Sequence, residues 1–383
     1  MNSSTKNYDY IIVGAGASGL MMAYRMSKDA YFNNKKILIL DKVKKTGNDR
    51  TWCFWENRNG DWDAILNYSW KSIIFKGDSI AETLSIKPYQ YKMIRSTDFY
   101  DKIWGEISKH KNIEFKTESV KQVQQENNLG KVITELSTYS SQNIINSILF
   151  NDAYKKQEQY PVLQQHFVGH FVKTKSLVFD ESSATFMDFT IPQKGNTRFM
   201  YILPYAKDEA LFEYTLFSKD RLKYETYTEA IKEYLQEKNI TDYEIIEKEQ
   251  GSIPMTSYKF WKSNSKNIIH IGTAGGWSKA STGFTFKNID KKTTNLIHHL
   301  KQQKPLNAFY KTNRFWFYDL LLLDILSQKN QLGAAIFSKM FKSISPQLIF
   351  KFLDEETNFA EELKIFSKMP TVLFSKALLK RLF

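Results

Sequence analysis

The run Tyr10-Ile11-Ile12-Val13-Gly14-Ala15-Gly16-Ala17-Ser18-Gly19, followed after a helix-like segment by Ile37-Leu38-Ile39-Leu40-Asp41, decides the fold. An apolar strand, a glycine-rich turn, a helix and a second apolar strand ending in an acid make a βαβ unit shaped for a dinucleotide. Gly14 permits the tight turn out of the strand. Gly16 lets main-chain N–H groups approach a pyrophosphate with no Cβ in the way, and Gly19 lets the helix lie close on the sheet. The helix N-terminus adds unpaired donors and a favourable dipole for the anion. Asp41, roughly twenty residues past the last glycine, is placed to accept hydrogen bonds from an adenosine ribose. The three glycines alone are weak evidence; the flanking strands, the helix and the terminal acid give the reading its weight.

Working outward, 383 residues with 42% hydrophobic and 25% charged side chains describe a globular chain long enough for two or three domains. A net charge of +13 favours an anionic partner. The lysines are scattered, and no basic run alternates with an RNP-like aromatic motif, so a membrane surface is preferred and no nucleic-acid partner is expected. Cys53 is the single cysteine, which excludes an internal disulfide. No basic segment followed by an apolar stretch opens the chain, so secretion is not expected. The best apolar run, 315–326, is short and carries Asp319 and Asp324, so membrane contact should be lateral rather than spanning. The expected location is cytoplasmic and peripherally membrane-associated.

Past Asp41, a loop from Thr46 leads into Thr51-Trp52-Cys53-Phe54-Trp55, and β-like runs follow around 71–75. The segment 91–104 reads as a strand end and a helix starting at Ser96 or Thr97. Residues 113–115, 132–134 and 144–150 read as strands. Between His166 and Met255 the period changes: 166–172, 184–190, 198–204 and 210–217 are short, aromatic and β-branched runs, with one helix over 226–238. They predict an antiparallel or mixed sheet serving as a substrate platform.

The segment 267–272 returns to a buried strand, followed by Thr273-Ala274-Gly275-Gly276 and then Ser281-Thr282-Gly283-Phe284. Gly272, Gly275 and Gly283 make a second place where backbone can approach a cofactor. Two such pieces far apart in sequence favour FAD over a nicotinamide cofactor. The expected class is α/β: a discontinuous Rossmann-like FAD-binding domain (1–150 and 260–305), a substrate-binding sheet domain (151–259) and a helical C-terminal region (306–383). That last region mixes apolar residues with Lys364, Lys368, Lys376, Lys380 and Arg381, a pattern suited to an anionic interface or to a lid over the core.

Taken in order, the GAGASG opening, Asn48-Asp49-Arg50-Thr51-Trp52-Cys53-Phe54-Trp55-Glu56, Gln164-Gln165-His166-Phe167-Val168-Gly169, Ala184-Thr185-Phe186-Met187-Asp188-Phe189, Phe199-Met200-Tyr201-Ile202-Leu203-Pro204 and the stretch from Ile271 to Phe284 resemble the bacterial lycopene β-cyclases. The resemblance runs over most of the chain. It implies a flavoprotein with the fold of the aromatic hydroxylases that closes β-rings on lycopene, giving γ-carotene and then β-carotene. It further implies FAD acting in its reduced form, with NAD(P)H or a cellular reductase as electron source.

Such a reaction begins with a proton delivered to the terminal double bond. A neighbouring double bond attacks the resulting cation, and a proton is lost from the new ring. An acid in an apolar tunnel holds its proton near neutral pH because desolvation disfavours the carboxylate. Aromatic faces steady a passing cation. The resemblance points to Glu213, in Leu211-Phe212-Glu213-Tyr214-Thr215, although Tyr214 stands where the family usually has a second acid. Glu355, in Phe352-Leu353-Asp354-Glu355-Glu356-Thr357, is the competing acid, in a string closer to the plant motif. Arg50 and Arg95 are candidates for the flavin phosphates. Thr273 replaces an Asp that related flavoproteins use on the ribityl chain. Trp52, Trp55, Tyr201 and Phe284 line a polyene tunnel or pack in a core. His166 and His170 lack a third ligand for a metal, and Asp188 reads equally as a site residue or a structural hydrogen-bond partner. Two other readings stay open: an FAD-dependent monooxygenase of an apolar substrate, and a basic membrane-associated binding protein without catalysis.

Overall fold

The computed structural model describes residues 5–382 and divides into two compact units, each stitched from three stretches of chain. Unit 1 comprises Met1–Asn48, Ser96–Gln159 and Ser257–Trp316; unit 2 comprises Asp49–Arg95, Tyr160–Thr256 and Phe317–Phe383. Asp49–Arg95 thus groups with the later sheet rather than with the rest of 1–150.

Unit 1 is built on a five-stranded parallel sheet in the spatial order Ile268–His270, Ile144–Asn146, Tyr10–Val13, Ile37–Asp41, Ile113–Thr117. The two strands of the opening motif are buried at every position, as a parallel sheet covered on both faces requires. The helix Ala17–Lys28 buries Leu20, Met21, Met22, Ala23 and Met26 and is tied to the helix Phe286–Lys301 by Arg25, whose guanidinium donates to Asp290 at 2.5 Å and to Thr293 at 3.0 Å. The strand expected over 144–150 stops at Asn146, whose amide side chain turns the chain by donating to the Ile148 carbonyl. A smaller sheet, Lys6–Asn7, Thr138–Ser141, Leu129–Thr134 and Val120–Glu126, belongs to the same unit.

Unit 2 carries a seven-stranded mixed sheet in the order Tyr243–Met255, Leu163–Thr174, Glu209–Ser218, Thr197–Pro204, Ser183–Asp188, Ser72–Gly77, Ile80–Ser85. All its pairings are antiparallel except that of Ser183–Asp188 with Ser72–Gly77. Alternation divides its residues between two faces. Val168, Val172, Phe212 and Tyr214 pack under the helix Tyr224–Glu237 through Tyr227, Ile231 and Tyr234. The intervening residues, Phe167, Gly169, Phe171, Leu211 and Glu213, therefore present the opposite face. A three-stranded sheet, Thr51–Glu56, Gln90–Arg95 and Tyr68–Trp70, most of the helix Arg314–Gln328, and four helices between Gly333 and Leu382 also belong to the unit. Among the described residues no helix is long and apolar enough to cross a membrane.

Candidate active site

In unit 1, close backbone packing is what the glycines make possible. A Cβ on Gly14, which has φ +95°, would stand 2.2 Å from the Ser147 hydroxyl, and one on Gly19 would stand 1.9 Å from the Gly14 carbonyl oxygen. Gly16 differs: nothing lies within 4 Å of the position its Cβ would take, and it caps the helix Ala17–Lys28 with no side-chain hydrogen bond. The Ala15 N–H donates to the Asp41 carboxylate at 2.6 Å, which fixes that acid at the mouth of the turn. Gly272, at φ +57°, lies against the same helix, since a Cβ there would stand 2.2 Å from the Ser18 hydroxyl. Gly275 packs on the His270 carbonyl, and Gly283, at φ +73°, closes a turn by donating to the Lys279 carbonyl at 2.8 Å. Beside it the buried Thr282 hydroxyl has no hydrogen-bond partner, and the helix Phe286–Lys301 starts without a side-chain cap. A glycine cradle with open space before it, an uncapped helix start and an orphaned buried hydroxyl suit the phosphates of a dinucleotide such as FAD.

In unit 2, the Leu163–Thr174 strand runs between the strands bearing Glu213 and Glu249, and Gly169 is the pairing partner of both acids. Directly paired residues point to one face, so the two glutamates flank a position that has no side chain. Tyr201 is the next residue in the row, paired with Glu213 on its other side. Two strand spacings place the glutamate Cα atoms about 10 Å apart. A Cβ on Gly169 would stand 3.1 Å from Glu249 Cγ, so the Glu249 side chain leans over the glycine.

The three-stranded sheet covers this row. Thr51, Cys53 and Trp55 alternate onto one face, paired with Arg95, Met93 and Tyr91. The Thr51 hydroxyl donates to Glu249 at 2.8 Å, and the Tyr91 and Tyr201 hydroxyls hydrogen-bond each other. Glu213 accepts from the Thr215 hydroxyl at 2.5 Å. Glu213 keeps some accessible surface, but protein atoms surround it closely. Desolvation, then the charge of Glu249, holds its carboxyl above the usual carboxylate range. Glu249 is also raised, mainly by desolvation, against the opposing pull of the Thr51 hydrogen bond and of Arg50 and Arg95. Burial pushes the Cys53 thiol up to about 12.

An aromatic train leads away from the acids. Tyr91 meets Phe186 at 5.4 Å between ring centres, Phe186 meets Phe350 at 5.7 Å, and Trp55 stacks on Phe350 at 4.6 Å.

The structure therefore gathers Gly14, Gly16, Gly19, Asp41 and Gly272 in unit 1, with Gly275 and Gly283 shaping the adjoining turns. Arg50 and Arg95 lie in unit 2: Arg50 donates to the Gln250 carbonyl at 3.0 Å, while Arg95 pairs with Glu247 and rests its guanidinium on Phe171. Glu355 sits in the turn ending the helix Pro346–Leu353, half-buried at φ +63°. Asp188 is fully buried and accepts from the Tyr234 hydroxyl at 2.8 Å and from Thr190, a structural tie between sheet and helix. His166 is held between Ser218 and Tyr227, and among the described residues no group of acids, histidines and cysteine is set to hold a metal. Glu249 is the residue that sequence reasoning did not single out. Its signal is indirect: Gly169 in the middle of a strand marks a place that something else approaches.

Comparison with known proteins follows the same lines. The model of the lycopene cyclase protein family matches residues 9–379. A geranylgeranyl bacteriochlorophyll reductase-like protein from Thermoplasma acidophilum superposes with a TM-score of 0.64 at 12% identity, covering 99% of this chain and 100% of that one. A flavoprotein/dehydrogenase from Cytophaga hutchinsonii gives 0.62 at 11% identity over 98% and 99%. The halogenase PltM, in complex with phloroglucinol and FAD, gives 0.58 at 10% identity over 91% and 82%. These likenesses show a flavoprotein fold. No curated protein matches the sequence.

Proposed function

This chain belongs to the lycopene cyclase protein family, and from that premise we propose that it converts lycopene, by way of γ-carotene, into β-carotene in an acid–base ring closure without net redox change. The observation that carries this reading is the enclosed Glu213, whose carboxyl favours its protonated form beside a row of aromatic rings. Glu213 donates its proton to the terminal double bond. The faces of Tyr91, Tyr201 and Phe186 steady the cation that forms, and the enclosing side chains keep water from capturing it. Loss of one ring proton restores the acid, so protons balance and no electrons are consumed.

FAD is the cofactor of this reading, held by Gly14, Gly16, Gly19, Asp41 and the turns around Gly272 and Gly283. When bound and reduced, with NAD(P)H as the electron source, it supplies negative charge that favours a cation. Glu213 is preferred to Glu355 because it stands in the row with Tyr201, Gly169 and Glu249, where desolvation and the Glu249 charge favour its protonated form, whereas Glu355 sits in the turn that ends the helix Pro346–Leu353.

Peripheral membrane contact belongs to the same proposal, since the substrate is a bilayer hydrocarbon. Phe359, Leu363, Val372, Leu379 and Leu382 are all more than half exposed, and Lys364, Lys368, Lys376 and Lys380 stand among them. Co-flotation with anionic vesicles tests it, and failure to float at low salt would remove it.

The deciding experiment is expression in lycopene-accumulating cells with identification of the pigment. β-Carotene is the expected product; unchanged lycopene beside folded, flavin-loaded protein would sink the reading. Stoichiometric consumption of NAD(P)H and oxygen would point instead to a monooxygenase.

A further inference from the structure

We propose that Glu249 is the positioning partner of Glu213, and that the two carboxyl groups flanking Gly169 form a single acid–base unit in which the Glu249 carboxylate keeps the transferable proton on Glu213. This inference rests on the ring-closure reading above and adds a residue to it. Its basis is geometric. Both acids pair with Gly169, both point to one face of the seven-stranded sheet, and the glycine between them leaves room for Glu249 to lean inward.

The groups around the pair divide the labour. On the Glu249 side, Thr51 donates to its Oε2, and Arg50 and Arg95 from the covering strands favour its ionised form, although Arg95 is already engaged by Glu247 on Glu249's own strand. On the Glu213 side there are Thr215 on its own strand, Tyr201 on the neighbouring one, and Tyr91 and Cys53 from the covering sheet, none of them a cation. Two like charges this close resist joint ionisation, so the negative charge settles on the side with the cations and the proton stays on the side without them.

The O–H bond of Glu213 breaks as a C–H bond forms at the terminal double bond, and the second double bond supplies the electron pair for the ring C–C bond. A C–H bond of the new ring then breaks, its electrons forming the ring double bond, and that proton returns to the pair. No oxidant or reductant enters.

The test is the pH dependence of kcat for the flavin-loaded, reduced enzyme acting on lycopene. In Glu249→Gln the neighbouring charge is gone, and Glu213 should lose its proton earlier. The alkaline limb is expected to move to lower pH by about one unit or more, with KM little changed. Glu249→Asp, which restores the charge, should return the limb toward the wild-type position, whereas a purely structural role would not distinguish Gln from Asp in this way. Should Glu249→Gln fail to accumulate as flavoprotein, Gly169→Ala serves instead: its Cβ would stand 2.9 Å from Leu211 Cδ1 and 3.1 Å from Glu249 Cγ, so both side chains must give way, and the limb should shift in the same direction. An unmoved limb in the variant that folds overturns the proposal. Activity retained in Glu213→Gln would instead overturn the underlying ring-closure reading, so the two failures are distinct.

Discussion

The glycine cradle of unit 1 and the acid row of unit 2 solve opposite problems. The cradle must present bare backbone to an anion, so it excludes side chains. The acid row must hold an uncharged carboxyl away from water, so it crowds side chains together. The first requirement writes itself into consecutive residues, 14 to 19; the second is met by Tyr201, Glu213, Gly169 and Glu249, four residues on four strands brought into line by register alone. Local demands leave local motifs, whereas demands met by register leave none.

This contrast can be broken from either side. The largest effect is expected from Gly19→Ala: with a Cβ 1.9 Å from the Gly14 carbonyl the helix must move, costing about 1–3 kcal/mol by overpacking and abolishing flavin binding. A lowered Tm and colourless protein are the readouts; a yellow protein of unchanged Tm would refute the tight-packing argument. Glu213→Gln attacks the other region and should leave flavin content intact while lowering kcat by about 10²–10⁴-fold, the usual worth of a positioned acid. Near-normal turnover would move the role to another carboxyl.

Gly16→Ala sharpens the comparison within the cradle. Its Cβ meets no protein atom, so Tm of the flavin-free protein should not change, while flavin affinity should fall about tenfold, or about 1.4 kcal/mol, because the methyl group takes space meant for phosphate. Equal affinity in the two proteins would mean that the space has another use. The smallest expected effect is on stability against pH. Glu213 and Glu249 hold protons above the ordinary carboxylate range in the folded state, so their contribution is fully present below the unfolded value and is lost as pH rises through the folded ones. Urea midpoints should therefore decline across that interval, and less steeply in Glu249→Gln; parallel declines would show that the pair is not the cause.

Much of this was legible in the residues. The βαβ opening, the buried strand near Ile268, the aromatic strands between His166 and Phe217 and the C-terminal helices all follow from periodicity and turn chemistry, and the α/β flavoprotein class with them. Two things were not. The hairpin from Ser72 to Ser85 joins the large sheet by a parallel pairing to Ser183–Asp188, a long-range contact that no local pattern announces. Glu249 hides in Glu244-Ile245-Ile246-Glu247-Lys248-Glu249-Gln250, a charged run that reads as a solvated sheet edge; the strand is indeed an edge, and only Glu249 within that run is buried. The Thr51-Trp52-Cys53-Phe54-Trp55 string was recognisable as a pattern, but its purpose became plain only when alternation set Thr51 and Cys53 over the acids.

The threefold stitching of each unit also dictates an order of assembly on the ribosome. The strand opening at Ser72 emerges long before Ser183, its parallel neighbour, and the five-stranded sheet stays one member short until Ile268 has been translated. The larger sheet likewise waits for Tyr243–Met255, so nascent chains carry two incomplete sheets until Met255 is made and one until His270 follows.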